Sequence, residues 1–284
     1  GGTVPLKYVP FRQEAAEEQA VLQKSGREFS GMGTEGISEI LSRGMPLYEA
    51  EHQETAGADG SGNLVIRGSC ISACAYLKEK GVQADLVYID PPFASGTDYE
   101  KKIWIRRSVK DPGNRAETDN VSGGQKPRFL KEKMYGDVWD KGQYLNWMCE
   151  NLLAVKEVMS ETAAIYVHLD CHISHYVKIL LDRIFGEENF RNEIVWCYST
   201  QGRPKDRFAP KHDTIFCYGK SGNTYFNSKG ARVPYTEEYV KSHFQSRDGQ
   251  GRACRKRFDR GKWRVYYPDE GMIDNDYWMI PYEN

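Results

Sequence analysis

A run of apolar residues from Asp85 to Ile89 stops abruptly on Asp90-Pro91-Pro92-Phe93, and this junction constrains the fold more than any other part of the chain. A strand that is apolar at nearly every position is covered on both faces, as in parallel sheets flanked by helices. Proline has no N–H to give to a ladder and holds φ at about −65°, so two in succession end the strand and fix the backbone beyond it. Upstream, the pattern predicts a strand at Asn63–Arg67 and a helix at Ile71–Lys80, which with the apolar run make a βαβ unit. The alternation continues downstream. A helix is predicted over 142–159, with Leu145, Met148, Leu152, Val155 and Met159 at helical spacing. A strand follows at Ala163–Leu169, a helix at Tyr176–Phe185, and strands at Glu193–Tyr198 and Thr214–Tyr218. The expected architecture is α/β, a doubly wound sheet with helices on both faces.

The flanks have a different character. Two helix-like stretches, near Gln13–Gln23 and Ile37–Ala50, precede a polar, glycine-rich run at 56–63 that marks a boundary. Residues 1–60 are therefore expected as a helical extension, 61–220 as the α/β region and 221–284 as a third region, dense in aromatics. A polar insertion at 107–137 interrupts the α/β region, as functional loops do. Across the 284 residues, 39 Lys and Arg balance 40 Asp and Glu, so no global basic field announces a polyanion and any such site is local. One segment breaks that balance: 247–264 holds eight Arg or Lys against two Asp. No apolar run approaches the roughly 20 residues that a membrane helix requires. The seven cysteines, without a CxxC, fit a reducing compartment, so a soluble cytoplasmic protein is expected.

In open α/β sheets, ligands bind outside the carboxyl ends of the strands, which is where Asp90-Pro91-Pro92-Phe93 falls. The prolines are expected to leave carbonyl oxygens facing outward, Asp90 adds a carboxylate acceptor and Phe93 a flat apolar ring. Together they suit a planar group carrying an NH2, such as a nucleobase with an exocyclic amine. The plainer alternative is a strand-ending turn with a core phenylalanine.

The wider pattern favours the first reading. Asn63-Leu64-Val65-Ile66-Arg67-Gly68 leads into a helix, Asp85–Phe93 follows, and Val138-Trp139-Asp140 comes ahead of Tyr144-Leu145-Asn146-Trp147. Then come Ala164–Asp170, Phe185–Trp196 and His212-Asp213-Thr214-Ile215. In this ordered series the chain resembles the amino-methyltransferases of DNA, the N6-adenine and N4-cytosine enzymes, and in particular the adenine-specific modification subunits of restriction systems. The resemblance implies a Rossmann-like methyltransferase sheet, S-adenosylmethionine as methyl donor, DNA as substrate, and a restriction subunit or a second copy as partner. It also implies that the target base is flipped from the duplex, that Phe93 stacks on it, and that Asp90 and the Pro91 carbonyl accept the amine hydrogens, with Pro92 shaping the turn. Adenine N6 is the expected target. Cytosine N4, or a DNA-binding fragment without catalysis, are the alternatives. No cysteine has an evident base beside it, so covalent catalysis is not expected.

The chain departs from the family in two places. The glycine-rich donor loop expected near the C-terminal side is absent, which implies an incomplete sheet with unpaired apolar edges that needs a partner or a rearrangement. Ser69 stands where relatives carry an acid, so a helix cap competes with donor contact there. On the donor side the candidates are Ser69, Cys70, His168 and Asp170; on the DNA side they are Arg255, Lys256, Arg257 and Trp263, with Arg203, Lys205, Arg207 and Lys211 as a second basic patch. Cys171, His172 and His175 lie close together but lack a fourth ligand at zinc spacing, and read as a loop and helix start. Trp139 and Tyr144 are read equally well as core or as pocket.

Overall fold

The computed structural model describes residues 4–12, 41–52, 54, 62–93, 98–104, 129–136, 141–199 and 204–281. The helix expected at Gln13–Gln23, most of the boundary run at 56–63 and much of the insertion at 107–137 lie outside the described residues, as do Trp139 and Arg203.

Strands β1 (Lys7–Val9) and β2 (Met45–Leu47) pair antiparallel and pack against helix α1 (Cys70–Glu79). The helix expected over 37–50 is thereby corrected. Residues 41–43 are helical, but Gly44 turns the chain with φ +88, and a Cβ there would meet the Val9 carbonyl oxygen at 2.7 Å. Pro46, which lacks an N–H, excludes further helix. Then follow β3 (Ala84–Ile89), β4 (Asp98–Trp104) and β5 (Phe129–Gly136), the last two an antiparallel pair of their own. Helix α2 (Lys141–Val158), β6 (Met159–Leu169), α3 (Ser174–Phe185), β7 (Phe190–Cys197) and β8 (His212–Gly219) complete the regular part. Beyond them lie β9 (Arg232–Val233), α4 (Glu237–His243), β10 (Ser246–Arg247), β11 (Ala253–Asp259), β12 (Lys262–Tyr266), β13 (Met272–Ile273) and β14 (Tyr277–Met279).

The main sheet has the order β14-β7-β8-β6-β3. It is mixed, not wholly parallel: β3 and β6 are parallel, as are β14 and β7, while β8 runs antiparallel to both neighbours. The connection from Cys197 to His212 explains this, since it contains Pro204 and Pro210 and, among its described residues, no helix to make a crossover, and strands joined by a loop alone pair antiparallel. The division expected at residue 220 is crossed by β14, which adds a strand to this sheet beside β7.

The core fills the interface between β6 and the helices. Leu145, Met148, Leu152 and Val155 of α2 are all at most 5% exposed, as expected from their spacing, and Ile165, Val167 and Leu169 of β6 are fully buried. The strand expected at Asn63–Arg67 does not form. This stretch has no ladder partner among the described residues, and Val65 is 96% exposed. For the same reason β3 is an edge, with Leu86 and Tyr88 exposed. Among the described residues, no helix is long and apolar enough to cross a membrane.

Candidate active site

Four strands deliver side chains to one end of the sheet. Ile89 lies opposite Val167, so Asp90 leaves β3 level with His168 of β6; His168 faces Ile215 of β8, two residues from Asp213; and Asp213 lies opposite Trp196 of β7. Alternation along a strand puts His168 and Asp213 on one face as diagonal neighbours.

Asp90 is 61% exposed, so the carboxylate is open to solvent, and its Oδ1 lies 3.1 Å from Nδ1 of His168. The other imidazole nitrogen, Nε2, lies 3.5 Å from Oδ2 of Asp213. That distance is at the outer limit of a hydrogen bond, and this buried Nε2 makes none among the described residues, so charge carries the contact. The hydroxyl of Tyr198 donates to Oδ1 of Asp213 at 3.1 Å. Aromatic rings enclose the imidazole: Phe93 edge-on at 5.3 Å, Trp196 at 5.5 Å and Tyr88 at 6.5 Å. Burial works against a charge on His168, but the two acids facing it, Asp213 and Asp90, outweigh it and raise its pKa to about 9. At neutral pH the imidazole is therefore a cation between two carboxylates. Burial, then Asp213, pushes the Tyr198 hydroxyl up to about 12.

The corner itself differs from the expectation in one respect. The Pro92 carbonyl does not face outward unengaged, because the fully buried Tyr144 of α2 donates its hydroxyl to it at 2.7 Å. Tyr144 is thus both core and a latch on the turn. Pro91 is buried, and its carbonyl has no donor among the described residues.

The residues expected on the donor side are otherwise engaged. Ser69 caps α1, accepting from the Ser72 N–H at 3.2 Å. Cys70 is exposed in the first turn of that helix, and its thiol pKa is lowered by a hydrogen bond to Cys74. Asp170 accepts from the His172 N–H at 2.9 Å and pairs with His172 Nδ1 at 2.6 Å. His168 serves Asp90. The side chains of Ser69, Asp170 and His168 are thus each held by a neighbour within the chain. Among the described residues no cluster of His, Cys, Asp and Glu could hold a metal ion.

On the DNA side, the structure divides the expected set. Arg255, Lys256, Arg257 and Trp263 sit on the β11–β12 hairpin, where Arg257 lies opposite Arg264 and Phe258 opposite Trp263. Period-two alternation puts Arg255, Arg257, Lys262 and Arg264 on one face and Lys256, Phe258, Trp263 and Val265 on the other. Arg255 is committed to the Tyr239 hydroxyl of α4, and Arg264 lies 3.4 Å from Asp259. Lys256, Arg257, Arg260 and Lys262 have no partner among the described residues. Lys205, Arg207 and Lys211 lie on the β7–β8 connection, which emerges at the same end of the sheet as Asp90; Arg207 is 3.2 Å from Asp206. In the sequence, Asp213 enters only as part of His212-Asp213-Thr214-Ile215 and Tyr198 only as a strand end, neither with a role in the site, and Phe208 does not enter at all. Asp213 had a signal, an acid at the start of an apolar strand, and Phe208 of the same loop is 99% exposed.

A family model described as DNA methylase, N6_N4_Mtase, matches residues 84–271, about two thirds of the chain. The chain belongs to the N6/N4 DNA methylase family. The match starts at β3 and includes the Asp90 corner, His168, Asp213 and the β11–β12 hairpin. Type II methyltransferase M.EcaI of Enterobacter cloacae is 26% identical over 206 residues, which are 69% of this chain and 39% of that protein. The Mod subunit of the type III restriction-modification enzyme StyLTI, from Salmonella typhimurium, is 22% identical over 222 residues, 76% of this chain and 31% of that protein. The Escherichia coli EcoP15I Mod subunit is 23% identical over 209 residues, with 73% and 31% covered. The chain thus spans about a third of the length of these curated relatives. Among solved structures, an M1.HpyAVI–SAM complex aligns with 61% of this chain and 60% of its own at 10% identity, with a TM-score of 0.33.

Proposed function

We propose that the corner at Asp90 receives a base flipped from duplex DNA and holds its exocyclic amine for methylation, with adenine N6 as the target and S-adenosylmethionine as the donor. One observation carries the reading. Asp90 stands open to solvent at the carboxyl end of β3, 3.1 Å from a histidine that is itself held by a second acid. A carboxylate so placed accepts one amine hydrogen, the Pro91 carbonyl accepts the other, and Phe93 offers a ring to stack on the base. Fixing both hydrogens turns the nitrogen lone pair away from the ring, and the catalytic contribution of these residues is positioning.

DNA contact is supported by the free cations of the hairpin and by the loop beside the site. Arg260 at the hairpin tip has φ +49, next to Gly261 at +77, a two-residue turn in which a left-handed arginine is uncommon. Keeping a cation in that costly conformation fits a contact with phosphate. Phe208, bracketed by Pro204 and Pro210 and flanked by Lys205 and Arg207, suits a ring that fills the gap a flipped base leaves. A restriction subunit as partner fits the names of the Mod-subunit relatives, with a second copy of the chain as the alternative.

The expected test is methyl transfer to duplexes whose only acceptor is adenine or cytosine: Asp90→Ala should abolish transfer while thermal unfolding stays cooperative. Near wild-type transfer by this variant would remove the role of Asp90, and transfer to cytosine alone would replace N6 by N4. A second reading, a DNA-binding chain without catalysis, draws on the prior engagement of Ser69 and Asp170. Calorimetry with S-adenosylmethionine separates the two, since binding heat favours the enzyme and its absence the inert chain.

A further inference from the structure

We propose that His168, held in turn by Asp213, is the positioning residue of Asp90, fixing one carboxylate oxygen so that the other is left for the amine. The arrangement is a chain across four strands: Asp90 Oδ1 at 3.1 Å from His168 Nδ1, His168 Nε2 at 3.5 Å from Asp213 Oδ2, and the Tyr198 hydroxyl on Asp213 Oδ1 at 3.1 Å. An exposed aspartate is free to rotate about its side-chain torsions, and an acceptor that rotates does not hold an amine. A ring that is 8% exposed and wedged between Phe93, Trp196 and Tyr88 has no such freedom. Its position is thus imposed on Asp90 through the Nδ1 contact. Buried polar atoms are nearly always hydrogen-bonded, so the unsatisfied Nε2 calls for an explanation. A protonated ring supplies it: both nitrogens then carry hydrogens, one for each acid, and closure of the gap to Asp213 on base binding tightens the whole chain.

The groups that face the imidazole are Asp90 and Tyr88 from β3 and its exit, Asp213 from β8, and Trp196 from β7, with Tyr198 behind Asp213. Two anions and no other cation among them favour the charged ring. The contribution of His168 should therefore be present at neutral pH and lost as pH rises through about 9.

The test has two arms, of which only the kinetic one rests on the methyl-transfer reading. In nitrogen-15 NMR of the intact chain, with His168 assigned among the six histidines by its own substitution, the ring should titrate near 9. It should fall toward about 6.5 in Asp90→Asn and in Asp213→Asn. Titration of the wild-type ring at about 6.5, or a midpoint indifferent to Asp90→Asn, overturns the assignment whether or not the chain is an enzyme. In the kinetic arm, Asp213→Asn should lower kcat roughly ten- to hundredfold with KM for DNA unchanged and move the alkaline loss of activity to lower pH, with Asp213→Glu recovering part of both. An unaltered kcat and pH profile in Asp213→Asn overturns it equally. Should the wild-type chain transfer no methyl group, the proposed function fails for this chain and the titration alone decides the positioning role.

Discussion

Asp90 could be singled out from its own neighbourhood, because an acid between an apolar strand and two prolines is placed at a strand end by covalent geometry alone. His168 was visible as a strand-end residue, but its partner was not, since Asp213 is 45 positions away in the chain. Only pairing of β6 with β8 brings them together. The same cluster sets a pH dependence of stability. In the folded state His168 has a pKa of about 9, above its ordinary value of 6.5. The stabilisation it brings is therefore complete below about 6.5 and disappears as pH rises through about 9. Because Asp90 is largely solvent-exposed and its share is screened, the effect should be roughly 1–2 kcal/mol. Thermal unfolding followed from pH 6.5 to 10 should show this loss in the wild-type chain and a flatter profile in Asp213→Asn. Parallel profiles would show that the ring and Asp213 are not coupled.

Among the elements, α1, α2 and α3 follow the sequence periodicity to within a few residues, since each buries residues that its own pattern places on one side, and β3 forms where its apolar run predicts, although it stays an edge. The β11–β12 hairpin was legible as a cluster of cations, not as a two-faced ribbon. Charge count cannot tell Arg255, tied to Tyr239, from Arg257, which faces Arg264 across the strands. Like charges directly opposite one another destabilise a hairpin, an effect that Asp259, 3.4 Å from Arg264, offsets in part. Replacing Lys256, Arg257, Arg260 and Lys262 by Gln should weaken duplex binding and reduce its salt dependence by about 0.9 in logarithmic slope for each phosphate that is no longer neutralised. Arg255→Gln should instead loosen the packing on α4 and leave most of that slope. Fluorescence anisotropy across a salt series measures both, and an unchanged slope in the fourfold variant would detach the hairpin from DNA.

Across the whole fold, β3 leaves Leu86 at 64% and Tyr88 at 55% exposure on an edge with no partner strand among the described residues, and Leu64 and Val65, in the stretch that stays out of the sheet, are exposed too. Such an edge invites pairing with another chain. Sedimentation velocity should reveal concentration-dependent association that Leu86→Lys, combined with Val65→Ser, reduces; a wild-type chain monomeric at every concentration would show that the edge is inert. The α/β alternation, the helix stripes and the position of the Asp90 corner could all be read along the chain, because they depend on residue spacing and on the stereochemistry of proline. That β8 runs against its neighbours, that the 63–67 stretch stays out of the sheet and that His168 meets both acids emerged only once the strands were assembled. Those outcomes depend on which strands lie side by side, a choice made by contacts between residues far apart in the chain.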